Sequence, residues 1–309
     1  MGAVVGHVEV RAKLNAMKNR VPPSLLFAGP HGIGKKLVAL EFARAITGEA
    51  RSLDLTQSLA QTESLFFVSP DGAQIKIEQV REAIHFLSLA RDGQPLVLIF
   101  DQAHLIGPQA ANALLKSIEE PPPGVHFFFI TPSPALMLQT VRSRSQVVRM
   151  APLSADEVRT VISRVEPDLQ LLPWVLEIAS GSPGVALEVA RGGQESEEIQ
   201  PLVEALIVAC GPRGSQKERG EALSAIRDGL KERELHVMAL RFLVRATAEA
   251  WRKRARSQAG GWLVALDFDR LEKITDLALE AEADFGRNVD RQLLWESFAS
   301  RLSEIAQTR

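Results

Sequence analysis

The stretch FAGPHGIGKKLVALEF contains residues whose types and spacing could bind phosphate. Gly29, Gly32 and Gly34 would allow backbone N–H groups to turn inward around phosphate oxygens, and Lys35 would contact the β- and γ-phosphates. The next position of such a loop normally carries Ser or Thr, whose hydroxyl binds Mg²⁺. Here it is Lys36, whose ammonium has no lone pair to donate. Phosphate could still bind to this loop, but we expect the coordination of Mg²⁺ to be impaired.

A second candidate for nucleotide chemistry is the segment VLIFDQAH. Its apolar residues predict a strand that ends at Asp101, where a metal-binding carboxylate would lie. In hydrolytic versions of this pattern a Glu follows and polarises the attacking water, whereas this chain has Gln102. An amide cannot act as a general base near neutral pH. The alternative is that DQAH is only a strand end followed by a helix cap.

Five short apolar runs predict the strands that must position these residues. They lie at 24–28, 64–68, 95–100, 126–131 and 146–150. The middle runs are apolar at nearly every position, which is typical of strands buried on both faces of a parallel sheet. Helical patterns alternate with these runs, so we predict a doubly wound α/β domain over residues 1–152. The loop then follows the first strand and opens a helix, as a phosphate-binding loop requires.

The rest of the chain has helical rather than strand patterns. We predict a small helical domain at 153–195 and, after a polar linker, an all-α domain at 200–309. In the last helix, apolar residues at helical spacing predict a core stripe formed by Leu293, Leu294, Phe298, Leu302 and Ile305.

Composition narrows the class of protein. The 309 residues are 46% hydrophobic and 24% charged with a formal charge of −2, so bulk charge does not favour nucleic acid as a partner. The single cysteine, Cys210, excludes an internal disulfide and a multi-cysteine zinc site, and it is typical of a reducing cytoplasm. The longest apolar runs are far short of a membrane span. We expect a cytoplasmic protein with no zinc and no membrane partner.

Four arginines would share one face if residues 235–256 form a helix. They are Arg241, Arg245, Arg252 and Arg256. This basic stripe could contact DNA or a sliding clamp, or it could be a solvated or inter-subunit face. The sequence alone leaves both alternatives open.

Three segments together resemble the AAA+ clamp-loader subunits of bacterial DNA polymerase III: NRVPPSLLFAGPHGIGKK, LVLIFDQAHLIGPQAANALLKSIEEPPPGVHFFFIT and TVRSRSQVVRM. The resemblance is dense over residues 6–190, and NALLKSIEEPP is its most specific element. It implies an AAA+ P-loop α/β domain with a parallel sheet, a helical lid at 153–195 and a helical collar for oligomerisation at 200–309. The implied partners are an ATPase motor subunit and the delta subunit and, through the complex, the sliding clamp and primed DNA.

The resemblance also implies roles for single residues. Arg144, in the triplet Ser143-Arg144-Ser145, would be an arginine finger that reaches the γ-phosphate held by a neighbouring subunit. Thr131 would be a sensor near the γ-phosphate of the chain's own site, and Gly184 stands where active subunits carry a second, arginine sensor. Motor subunits often carry a four-cysteine zinc module after the first helix, and the corresponding stretch of this sequence contains no cysteine.

Three of these positions weaken the chain's own site, namely Lys36, Gln102 and Gly184, whereas Arg144 would serve another site. We therefore predict a replication subunit, part of a DNA polymerase holoenzyme, that has no ATPase activity of its own and assists a neighbour. Two alternatives stay open. One is an active AAA+ ATPase, either a motor subunit or a related DNA-repair ATPase. The other is a subunit that binds ATP or ADP at a degenerate loop without hydrolysis.

Overall fold

A computed structural model describes most of the chain as two compact units. The first comprises Met1–Val161 with Ser182–Gly184, and the second comprises Ile162–Gly181 with Val185–Arg309. The described residues are 4–88, 94–169, 171, 175–176, 179–191, 201–202, 204–206, 208–210, 215–228, 239–240, 243–244, 246–248, 250–251, 254–255, 266–285 and 290–307. The predicted division into an α/β domain, a lid and a collar stays a prediction.

The first unit is built on a six-stranded sheet. Its strands are β1 (Ser24–Ala28), β2 (Leu59–Gln61), β3 (Leu65–Val68), β4 (Leu96–Phe100), β5 (Val125–Thr131) and β6 (Gln146–Arg149). The order across the sheet is β2-β3-β4-β5-β1-β6, and all neighbours pair in parallel except β2 with β3. The five predicted strands are confirmed. The antiparallel edge strand β2 was not predicted, because three residues of mixed polarity make no apolar run.

Both faces of the sheet are buried, because alternate residues of a strand point to opposite sides. In β5, Phe127 and Phe129 pack on one side and Phe128 on the other. The side of Phe128 is covered by helices α1 (Val8–Ala16) and α2 (Lys35–Thr47). The opposite side is covered by α3 (Ile77–Leu87), α4 (Pro108–Glu119) and α5 (Gln139–Arg142). This three-layer arrangement explains why the middle strands are apolar throughout.

Helix α4 contains most of the NALLKSIEEPP element. It begins at Pro108, which suits a first turn because the first N–H groups of a helix have no intrahelical partner. One face of the helix is buried and consists of Ala110, Ala111, Leu114 and Ile118. The helix ends at Glu119, since the prolines that follow Glu120 cannot continue it. Glu119 is therefore placed at a helix end, shortly before β5.

Five further helices whose bounds the structure gives follow the sheet in the chain. They are α6 (Ala155–Val165), α7 (Pro183–Arg191), α8 (Gln216–Asp228), α9 (Phe268–Phe285) and α10 (Arg291–Gln307). In α10, Phe298 and Leu302 are buried as predicted, but Leu293 is 64% exposed, so its place in the core stripe was wrong. Trp295 is buried instead, and its indole N–H donates to the carbonyl oxygen of Ile226. Among the described residues, no helix is long and apolar enough to cross a membrane.

Candidate functional site

The candidate phosphate loop connects β1 to α2. It leaves the strand after Ala28 and ends at Gly34, whose φ of 96° lies in the left-handed region that favours glycine. The N–H of Gly29 donates to the carbonyl oxygen of Thr131 at 3.3 Å. A Cβ on Gly29 would lie 2.3 Å from the carbonyl oxygen of Met150, so a larger residue would displace the backbone. The loop thus has the strand–loop–helix context that the sequence predicts.

Lys35 is bound to the loop itself. Its Nζ donates to the carbonyl oxygens of Gly29 at 2.7 Å and Pro30 at 2.6 Å, and only 8% of the residue is exposed. Burial lowers the pKa of Lys35 from 10.5 to about 8, while the charge of nearby Asp101 acts in the opposite direction. The ammonium that would contact phosphate is therefore engaged, and a phosphate group would have to compete with two carbonyl oxygens.

Lys36 faces the carboxylate that would bind a metal. Its Nζ lies 3.5 Å from Oδ2 of Asp101, and it donates to the carbonyl oxygen of Leu55 at 3.4 Å. The ammonium also lies 4.4 Å from the centre of the Phe67 ring, a favourable cation–π distance. A divalent cation at Asp101 would be repelled by this ammonium. The residues at this position therefore do not fit Mg²⁺.

Gln102 follows Asp101 in a left-handed backbone conformation with φ of 48°, which is uncommon for a residue other than glycine. Its N–H donates to Oδ1 of Asp101 at 3.0 Å. The side chain is exposed, and it is an amide. The position beside Asp101 thus supplies no carboxylate that could polarise a water molecule.

Two carbonyl oxygens of the loop are bound by residues distant in sequence. Nε2 of His7 lies 2.7 Å from the carbonyl oxygen of Ile33, and the N–H of Gly184 donates to that of Gly32 at 2.9 Å. A Cβ on Gly184 would lie 2.9 Å from the Cα of Gly32, so an arginine cannot occupy this position with the same backbone arrangement. The contact of His7 was missed, because no motif links it to a loop 26 residues later. That Gly184 replaces a sensor stays a prediction.

Thr131 lies beside the loop, at the end of β5. It is fully buried, and its Oγ1 donates to the carbonyl oxygen of Ser133 at 2.9 Å. Its own carbonyl oxygen accepts the N–H of Gly29. The structure thus brings together the loop, Lys36, Asp101 and Thr131, while the sensor role of Thr131 stays a prediction.

Arg144 lies at the opposite edge of the sheet from the loop. The hydroxyl of Ser145 is hydrogen-bonded at 2.7 Å to that of Ser24, the first residue of β1. The loop begins after Ala28, the last residue of the same strand. Four strand steps separate the two ends, which corresponds to about 13 Å. Arg144 therefore lies at the amino ends of the parallel strands, and the loop lies at their carboxyl ends.

The guanidinium of Arg144 has three partners of its own chain, one of which is Oγ of Ser143, which accepts from Nη1 at 3.4 Å. Its Nη2 lies 2.5 Å from Oε1 of Glu119, and its Nη1 donates to the carbonyl oxygen of Thr140 at 3.0 Å. The side chain is still 38% exposed.

The four arginines of the predicted basic stripe lie outside the described residues.

Solved structures that superpose on this chain include two proteins from Thermotoga maritima. A DNA polymerase III gamma subunit-related protein superposes with a TM-score of 0.47 at 16% identity, covering 96% of this chain and 99% of that one. The RuvB Holliday junction branch migration motor superposes with a TM-score of 0.45 at 18% identity, covering 84% and 87%. Because both scores are below 0.5, the α/β fold rests on the sheet order of this chain itself.

Curated relatives are subunits of DNA polymerase III. The delta-prime subunit of Pseudomonas aeruginosa is 29% identical over 191 residues, which cover 57% of this chain and 58% of that protein. The delta-prime subunit of Escherichia coli is 34% identical over 148 residues, which cover 47% and 44%. The tau subunit of Escherichia coli is 27% identical over 249 residues, which cover 68% and 38%. The chain thus spans less than two thirds of the length of each of these relatives.

The family model described as DNA polymerase III, delta subunit, matches residues 8–154. This part contains the loop, Asp101, Glu119 and Arg144. The family model and these relatives all represent parts of DNA polymerase III. Over these residues the chain is therefore similar to the delta-prime subunits of DNA polymerase III.

Proposed function

We propose that this chain is a clamp-loader subunit that does not hydrolyse ATP itself and donates Arg144 as an arginine finger to a neighbouring ATPase subunit. The sliding clamp is then loaded onto primed DNA by the assembled complex during replication, in the cytoplasm at the nucleoid. Residues 153–195 and 200–309 would serve as the lid and the oligomerisation collar. The delta subunit would be a second neighbour.

The position of Arg144 is the observation that carries this proposal. The residue lies at the amino edge of the sheet, whereas the loop and Asp101 lie at the carboxyl edge. Arg144 therefore cannot act on a phosphate held by its own loop. It is partly exposed, so a phosphate held by another subunit can reach it. An arginine supplied in this way stabilises the charge of the transition state and accelerates phosphoryl transfer by about 10³–10⁵-fold.

The chain's own site supports the absence of hydrolysis. Lys36 pairs with Asp101, and Gln102 stands where a general base is needed. Lys35 is engaged by loop carbonyl oxygens. Binding of a nucleotide without hydrolysis stays open, because the glycines and Lys35 still form the loop.

The proposal is tested with the purified chain and with the complex reconstituted from this chain and its partner subunits. We expect negligible ATP turnover by the chain alone. In the complex, Arg144→Ala should strongly reduce ATP turnover at the adjoining site and clamp loading, because the transition state loses a cation. Arg142→Ala is the matched control, since Arg142 is an exposed arginine of the same segment.

Two results would contradict the proposal. Clamp loading by the Arg144→Ala complex equal to that of the Arg142→Ala complex would exclude the finger. Mg²⁺-dependent turnover by the chain alone, abolished by Lys35→Ala, would instead establish the alternative of an active AAA+ ATPase. The complete Gly29–Lys35 loop after a buried strand is the observation that favours this alternative.

A further inference from the structure

Glu119 binds the guanidinium of Arg144 from the C-terminal end of α4. It is the last residue of α4, and the partial negative charge at a helix C-terminus disfavours a carboxylate there. The side chains of Arg144 and Glu119 are 38% and 46% exposed, and ion pairs as exposed as this contribute little to stability. The pair therefore adds little to the stability of the helix or of the fold.

The backbone that carries Arg144 is fixed independently of Glu119. The hydroxyl of Ser145 donates to the carbonyl oxygen of Val141 at 2.8 Å and is hydrogen-bonded to Ser24, which is only 2% exposed. The residue after the arginine is thus fastened to the central sheet. The long side chain of Arg144 rotates about several bonds beyond this fixed point. Its guanidinium therefore needs separate contacts to adopt one orientation.

Three contacts restrict this head from different sides. The carbonyl oxygen of Thr140 and Oγ of Ser143 accept from Nη1, and the carboxylate of Glu119 lies against Nη2. Thr140 belongs to the same short helix as the residues just before Arg144, whereas Glu119 comes from α4. The orientation of the guanidinium is therefore set relative to two elements of the sheet's helical layer.

We propose that Glu119 is a positioning residue for Arg144, which holds the guanidinium in one orientation before a neighbouring subunit presents its nucleotide. This inference rests on the proposed function, because it matters only if Arg144 acts on a neighbour's phosphate. A side chain that is already ordered loses less rotamer freedom on binding. The pair is weak because it is exposed, so a phosphate with more charge can share or replace the carboxylate.

The test uses Glu119→Ala in the reconstituted complex, with Glu120→Ala as the matched control. Glu120 is the adjacent glutamate and is also exposed. We expect Glu119→Ala to lower kcat for ATP at the adjoining site by about 2- to 10-fold, with KM unchanged. The reason is that the entropic cost of ordering the arginine side chain is then met only when the transition state forms. Glu120→Ala should leave kcat unchanged.

The same substitutions are then made in the Arg144→Ala background. If Glu119 acts through the arginine, Glu119→Ala has no further effect there. Equal losses in both backgrounds would overturn the inference, as would an unchanged kcat or an increase, since an increase would mean that Glu119 restrains the finger. In those cases a large effect of Arg144→Ala would leave the proposed function intact, whereas no effect of Arg144→Ala would remove both.

Discussion

A single ammonium group decides what the carboxylate of Asp101 can bind. At 3.5 Å from Oδ2, the Nζ of Lys36 occupies the neighbourhood in which a divalent cation would have to lie. The contacts with the carbonyl oxygen of Leu55 and the ring of Phe67 keep it there. The negative charge of Asp101 is thus partly neutralised by Lys36, which lowers the affinity of this carboxylate for a divalent cation.

Lys36→Thr should create Mg²⁺-dependent nucleotide binding. The threonine hydroxyl can bind a metal, and Asp101 loses its internal cation. We expect the affinity of the isolated variant for a fluorescent ATP analogue to rise by at least about tenfold when Mg²⁺ is added, and that of the original chain to be insensitive to Mg²⁺.

Lys36→Met separates the two causes, because it removes the charge without adding a metal ligand. It should bind the analogue with little dependence on Mg²⁺. If Lys36→Thr and Lys36→Met respond to Mg²⁺ alike, then Lys36 is not what prevents metal binding at Asp101.

At the scale of elements, Gly184 of helix α7 contacts the phosphate loop through its backbone. The N–H of Gly184 reaches the carbonyl oxygen of Gly32, and this approach is close because neither residue has a side chain in the way. The start of α7 is thereby bound to the loop, and the same close approach leaves no room for a side chain at position 184.

Gly184→Ala should lower the free energy of unfolding of the first unit by about 1–3 kcal/mol, because the added Cβ meets the backbone of Gly32 at 2.9 Å. Urea unfolding followed by circular dichroism measures the change. Gly220→Ala is the control, since this exposed glycine of α8 has nothing within 4 Å of an added Cβ. It should stabilise its helix by about 0.5–1 kcal/mol. Destabilisation by both substitutions to the same extent would show that the contact with Gly32 is not the cause.

The sequence predicted elements better than contacts. Apolar runs identified β1, β3, β4, β5 and β6, because strands buried on both faces leave a strong composition signal. It also singled out Lys36 and Asp101, but their pairing depends on how the start of α2 lies against the end of β4. The contact between His7 and the loop and the burial of Trp295 in place of Leu293 likewise depend on tertiary packing.

On the scale of the whole molecule, each unit has a core of its own. The first is the sheet with its helical layers. The second buries apolar residues that include Leu206, Leu240, Leu271 and Trp295. The four tryptophans all have residue numbers within the range of the second unit: Trp174, Trp251, Trp262 and Trp295. The chain contains no tyrosine. Tryptophan emission thus reports on one unit, whereas far-ultraviolet circular dichroism reports on both.

We expect the two signals to give different urea transitions, because separate cores unfold as separate cooperative units. Fluorescence should show one step and circular dichroism two, one of which coincides with the fluorescence step. Coincident single transitions by both probes would mean that the chain unfolds as one cooperative unit and that the expected independence is wrong.

Gly29 shows why a glycine-rich signature can outlast the chemistry for which it is searched. Its missing side chain makes room for the carbonyl oxygen of Met150, and this requirement exists with or without a nucleotide. A lineage that stopped hydrolysing ATP would still lose stability by replacing this glycine, so the pattern would persist as a record of ancestry. Genome searches that infer an ATPase from the glycines and lysine alone would then count such subunits as ATPases. The residue after the lysine and the residue after the strand-end aspartate are the ones that distinguish hydrolysing from non-hydrolysing subunits.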